Sequence, residues 1–254
     1  MIQLEDYATK YRHVQMERRD GILLVTMHSD GGKVRWGAGP HEELGYAFHD
    51  IGADRRNKVV ILTGSGEAFI DAIATSGRAE TIGPRAWDRV YWDGKKLLTN
   101  LLDIEVPMIA AVNGPATIHA ELALLCDIVL AADHAVFQDA AHFSGGLVPG
   151  DGVHVVWPLL LGINRARYFL LTGQILSARE ALDLGVVNEV LPREDLLPRA
   201  WALGAQLAQQ PPLTLRYARV ALTQNLKKLM LENLGYGLAL EGLGAVEHWP
   251  SRKP

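Results

Sequence analysis

Four short apolar runs recur along the chain: GILLVTMH (residues 21–28), KVVILTGSG (58–66), PMIAAV (107–112) and DIVLAA (127–132). Each reads as a strand, and helical patterns separate them: HEELGYAFHDIGADR, PRAWDRVYWDGKKLLTNLLDI and ELALLC. Strands that alternate with helices pair largely in parallel, because a parallel pair needs a crossover connection. The pattern therefore predicts an α/β chain. VQMER adds a strand ahead of the first run, set off by the turn-like Arg19-Asp20-Gly21, and AVFQD adds a short one at 135–139. From Asn164 onward the chain reads as wholly helical, with Gly173 and Gly185 at positions where helices stop.

At 254 residues and 48% hydrophobic content the chain can bury a substantial core. Pro192 and the Pro211-Pro212 pair mark a seam, which divides it into an α/β core over 1–195 and a helical region over 196–254. A net charge of −4 gives no basic footprint for nucleic acid, and no stretch suggests a membrane surface. A small molecule is the expected partner. Cys126 is the one cysteine, and the first residues lack the layout of a secretory signal, so a cytoplasmic location is expected.

AAHFSGGLVPGDGVH, Ala140 to His154, concentrates titratable groups in a glycine-rich loop. His142, Asp151 and His154 can reach one cavity from its two sides. The plainer alternative has Asp151 capping the helix GVHVVWPLLLG. In AVNGPATIHAELALLC, a strand runs through Asn113-Gly114-Pro115 to a helix with His119 near its start, where unpaired N–H groups favour developing negative charge. His41, His49 and His134 read as helix or turn surface.

These segments together resemble the crotonase superfamily of enoyl-CoA hydratases and isomerases. AAVNGP, the CDI of CDIVLAA, GLVPGDG and RYFLLTGQILSAREALDLGVVNEVL follow its pattern over roughly residues 10 to 225. The resemblance implies a ββα spiral core with a C-terminal helical region, and trimers or dimers of trimers built partly through those helices. Departures from the pattern carry information. Thr117-Ile118-His119 stands where the family has a glycine triplet supplying one oxyanion-hole N–H, and Ala68 to Ala74 replaces the other oxyanion segment. Glu121 matches the first hydratase glutamate, whereas His142 falls on the second.

His142, His119, Asp151, Trp36 and Glu241, each in its local context, resemble the β-diketone hydrolases within the superfamily, of the 6-oxocamphor hydrolase type. The likeness breaks around Ala72 to Ala79, where Ala74, Ser76 and Gly77 are smaller than the pocket residues expected. The resemblance implies hydrolysis of a carbon–carbon bond in a (bi)cyclic β-diketone: hydroxide adds to one carbonyl, the bond breaks in the retro-Claisen sense, and an enolate leaves. No cofactor is implied. His142 would be the base, with Glu241 as its partner; His119 and Asp151 would stabilise and protonate the enolate, Asp151 holding a proton if burial raises its pKa. Trp36, Ala74 and Gly77 would line the substrate. A zinc site from His119, His142 and Glu241 lacks the short helical spacing of common zinc motifs. The competing reading is a CoA-thioester hydratase or isomerase using Asp151 or Glu121; a non-catalytic RNA-binding scaffold fits poorly with the acidic balance.

Overall fold

The computed structural model describes residues 2–74 and 82–248. After a short helix α1 (Leu4–Tyr7), strands β1 (Val14–Arg19) and β2 (Ile22–Met27) form an antiparallel hairpin. Asp20 and Gly21 both have positive φ, 52° and 84°, the conformation that a two-residue hairpin turn requires. β2 then begins a parallel series. β4 (Val59–Gly64), β6 (Met108–Val112), β7 (Ile128–Ala132) and β10 (Glu189–Leu191) complete a six-stranded sheet ordered β1-β2-β4-β6-β7-β10.

Helices α2 (Ala38–Ala53) and α3 (Pro84–Asp103) make the crossovers and cover one face of the sheet; α8 (Arg193–Leu207) covers the other. Strand side chains alternate between the two cores. Val60, Leu62, Ala110 and Val112 join the α2–α3 side, while Val59, Ile61, Ile109 and Ala111 join Leu196 and Ala200 of α8. Burial on both faces explains why these strands read as continuous apolar runs rather than alternating ones.

The remaining elements lie in the segments that follow β2, β4, β6 and β7. They are the two-residue pair β3 (Arg35–Trp36) and β5 (Ala72–Ile73), helix α4 (Glu121–Leu124), β8 (Val136–Phe137), α5 (Val153–Leu161), α6 (Ile163–Thr172), β9 (Leu176–Ser177) and α7 (Ala178–Asp183). Helix α9 (Pro212–His248) closes the chain and packs along α3. Its buried Met230, Leu234 and Leu238, four residues apart, form the stripe that makes this contact.

The helical reading of everything beyond Asn164 is corrected here. β9 pairs with β8, and β10 adds an edge strand that pairs in parallel with β7. Strands of two and three residues are too short to show a period of two, so the helical patterns on either side mask them.

Candidate active site

The strand ends set the site. Beyond β6, Asn113 pins the segment that follows β4: its side chain accepts from the Gly64 amide (3.2 Å) and donates to the carbonyls of Gly66 and Ala68 (3.0 and 3.1 Å). Gly114 lets the two segments touch, since a Cβ there would lie 1.9 Å from the Glu67 carbonyl oxygen. The chain then reaches His119, whose φ of +48° is left-handed. A residue with a side chain pays about 1–2 kcal/mol for that conformation. Glu121 follows at the start of α4 and is fully buried.

Two imidazole–carboxylate pairs face each other across Asp151. His119 Nδ1 lies 2.6 Å from Glu121 Oε1 and 3.2 Å from Asp151 Oδ2. His142 Nδ1 lies 2.6 Å from Asp139 Oδ1, while its Nε2 lies 3.2 Å from Asp151 Oδ1 and 3.6 Å from Glu241 Oε1. All six side chains are buried or nearly so. Trp36 stacks on His119 with ring centroids 4.1 Å apart, and His41 meets Trp36 edge-on at 5.7 Å. Ala74 adjoins Trp36, its amide donating to the Trp36 carbonyl. Gly77 lies outside the described residues.

Glu241 reaches the site because α9 comes unusually close to the loop before α5. A Cβ on Gly150 would stand 2.4 Å from the Gly237 carbonyl oxygen and 2.8 Å from Glu241 Oε2. His154 steadies the approach by donating from Nε2 to the Asn233 carbonyl of α9 (3.2 Å). Asp151 is not a helix cap. The N-cap of α5 is Gly152, at φ +97°, without a side-chain hydrogen bond.

Burial and charge pull the titrations apart. Burial raises the Asp151 carboxyl, but His142 and His119 outweigh it and hold the group below the usual carboxylate range. Burial alone predicts a protonated Asp151; flanked by two imidazoles it is instead an anion. Burial opposes the charged form of His142, yet Asp151, Asp139 and Glu241 together raise its pKa well above the ordinary value. His119 is raised by Glu121 and Asp151 against the same penalty. Burial pushes Glu241 up to about 7 despite His142, and it also raises Glu121. His41, buried beside His119, is pushed down to about 3 and is therefore neutral.

The sequence of residues 17–237 matches the family model described as enoyl-CoA hydratase/isomerase. A carnitinyl-CoA dehydratase of Salmonella arizonae is 34% identical over 216 residues, 82% of this chain and 78% of that protein. An enoyl-CoA hydratase/isomerase of Bacillus subtilis is 30% identical, covering 88% and 85%. The chain belongs to the enoyl-CoA hydratase/isomerase family. Among solved structures, a β-diketone hydrolase of the cyanobacterium Anabaena sp. PCC 7120, bound to (S)-3-oxocyclohexyl acetic acid, superposes with a TM-score of 0.93. It is 52% identical and the match covers 95% of this chain and 97% of that one. An enoyl-CoA hydratase/isomerase of Mycobacterium paratuberculosis reaches 0.86 at 25% identity, covering 92% and 94%.

Within this crotonase-type fold, the four residues singled out as catalytic, His119, His142, Asp151 and Glu241, lie in one cluster, with Trp36 as a wall against His119. Their pairing differs from expectation. Glu241 faces Nε2 of His142; Nδ1, the nitrogen that fixes the tautomer, belongs to Asp139. His41, read as surface, is buried against Trp36 and His119, and Glu121, the match to the first hydratase glutamate, holds His119. The sequence signal for Asp139 was a carboxylate three residues ahead of a histidine in a turn. Thr117-Ile118-His119 stands where the family has glycines, yet His119 adopts a left-handed conformation that favours glycine and adds an imidazole. The Thr117 and Ile118 amides both donate to the Ile70 carbonyl, at 2.9 and 3.2 Å. As for a metal, the donors among the described residues that approach within 4.8 Å of one another are those of His119, Glu121 and Asp151, and the His119–Glu121 contact already engages two of them.

Proposed function

We propose that this chain hydrolyses a carbon–carbon bond of a neutral, cyclic or bicyclic β-diketone to give a keto acid, in the retro-Claisen sense. The observation that carries this reading is the buried row Glu241–His142–Asp151–His119. It supplies a proton acceptor at one end and a proton donor at the other, with an anion between them. The base is the His142–Glu241 pair, not His142 alone. With Glu241 near 7, this pair can hold or release one proton around neutrality, and a pair so close titrates as a unit.

The steps follow from the residues. A water gives a proton to the pair and its hydroxide adds to one carbonyl. The tetrahedral adduct collapses, the bond to the carbon between the carbonyls breaks, and the electron pair moves onto the second carbonyl as an enolate. His119 has Nδ1 engaged by Glu121 and Asp151, so Nε2 is the nitrogen with which it can stabilise the enolate oxygen. Protonation at carbon, by the imidazolium form of either histidine, completes the keto acid. Asp151, held as an anion, stabilises both imidazolium forms. Neutral His41 and Trp36 bound the substrate on the far side of His119.

The Anabaena relative supports the substrate class. Its bound ligand is a keto acid, and joining the acid carbon to the ring carbon flanked by the ketone and the unsubstituted methylenes regenerates a symmetric bicyclic 1,3-diketone. The CoA-thioester reading draws on the names of the sequence relatives and on retained Glu121. Against it, Glu121 is committed to His119, and the Thr117 and Ile118 amides to Ile70. The test is to offer mono- and bicyclic β-diketones beside crotonyl-CoA. Loss of diketone with appearance of a carboxylic acid is expected, and crotonyl-CoA hydration at roughly 1 s⁻¹ or more with no diketone turnover would overturn the proposal. The same reading takes the assembly to be a homotrimer or a dimer of trimers.

A further inference from the structure

We infer that Asp139 is a positioning residue for the reaction: by accepting the Nδ1 proton of His142, it commits Nε2 of that ring to the reacting side, toward Asp151 and Glu241. The inference rests on the proposed hydrolysis for its catalytic consequence, though not for its geometry.

Asp139 is itself fixed from both directions. The amide of Gln138 donates to the Ala116 carbonyl (3.2 Å) and that of Ala140 to the Thr117 carbonyl (2.9 Å), so the segment is stitched to the loop bearing His119. The Asp139 side chain is 4% exposed, with Oδ1 2.6 Å from His142 Nδ1; its Oδ2 has no hydrogen-bond partner among the described residues. A buried carboxylate with one oxygen spent on an imidazole and the other unmatched is a poor device for holding a fold together, because each unmatched acceptor costs stability. It is a good device for orienting a ring. The imidazole has two nitrogens, and only one can exchange a proton with water and Glu241. An anion on Nδ1 keeps the proton there in the neutral form and supports the imidazolium when Nε2 is charged.

The other groups around His142 cannot do this. Asp151, from the loop before α5, and Glu241, from α9, both approach Nε2; His119 lies beyond Asp151, and His154 on α5 is turned to the Asn233 carbonyl. Removing the Asp139 charge should therefore disturb both the choice of tautomer and the pair's readiness to take a proton.

The experiment combines nitrogen NMR of histidine-labelled protein with kinetics of Asp139→Asn. In the wild type, His142 should keep a strongly hydrogen-bonded proton on Nδ1 at every pH in the stable range; in the variant that signal should vanish and the ring titrate at lower pH. With a diketone substrate, kcat should fall by about 10²–10⁴-fold at little-changed KM, and the acid limb of kcat/KM should move to lower pH. An unprotonated His142 Nδ1 in the wild type overturns the inference, and so does a variant with the wild-type kcat and pH profile. The wild-type NMR measurement decides even if the variant fails to fold. Because it uses no substrate, an Nδ1 proton in a protein inert toward diketones would uphold the positioning and reject the proposed reaction.

Discussion

Asp151 sits 3.2 Å from two different histidines, and those neighbours decide what it can do. An anion there is worth most when either imidazole is protonated, so Asp151→Asn should lower kcat by about 10²–10⁴-fold with KM little changed. For a symmetric diketone it should also erode the enantiomer ratio of the residual product. A role limited to capping α5 is already absent from the geometry; unchanged turnover in this variant would remove the catalytic one as well. The pH dependence follows from the same cluster. Proton acceptance needs the Glu241 side of the His142–Glu241 pair free of a proton, and with Glu241 near 7 the value of kcat/KM should fall as pH drops below about 7. Proton donation needs His119 charged; its raised pKa keeps it so into the neutral range and predicts a decline on the alkaline side. A flat profile between these limbs and acid pH would contradict the assignment. Replacing Glu241 with Gln should abolish the acid limb together with most of the turnover.

Among the elements, α9 carries the heaviest demand of the proposed reaction because one side chain near its end must enter a site built by loops far earlier in the chain. Met230, Leu234 and Leu238 set its rotation against α3, the Trp87 ring nitrogen donates to the Leu238 carbonyl (3.0 Å), and Glu241 follows three residues later on the same face. Gly150 and Gly237 then permit backbone contact. A Cβ on Gly237 would lie 2.2 Å from His154 Cε1, so Gly237→Ala should push α9 outward. The expected result is a loss of about 1–3 kcal/mol in stability and a fall in kcat of at least about tenfold, measured by denaturant melts and diketone turnover; wild-type values for both would mean the close approach is dispensable. The sequence made part of this legible. The strands at 58–66 and 107–112 stood out because burial on both faces leaves them uniformly apolar, and His142 and Asp151 stood out because a glycine-rich loop rarely carries so many titratable groups. Three-residue β10 was hidden by its length. His41 was hidden because an early helical position gives no sign of which neighbour will cover it, and Asp139 because only the folded turn shows which nitrogen of His142 it faces.

For the whole molecule, the family assignment fixes the scaffold, and in the proposed reaction the side chains that depart from the family pattern carry the chemistry. Long stretches of α9 expose large apolar residues, among them Leu222, Leu231 and Leu243, and no helix among the described residues is long and apolar enough to cross a membrane. An assembly that covers such side chains accords with the proposed trimer or dimer of trimers; sedimentation analysis should give three or six copies, and a monomer at micromolar concentration would contradict it. The central claim concerns a bond, so its most direct test follows the atoms. The symmetric bicyclic diketone that corresponds to 3-oxocyclohexyl acetic acid should be turned over in heavy-oxygen water and the product weighed by mass spectrometry. The account predicts a keto acid one water heavier than the diketone, with one solvent oxygen in its carboxylate and one enantiomer in excess. Recovery of unchanged diketone from a folded enzyme that hydrates crotonyl-CoA would contradict it.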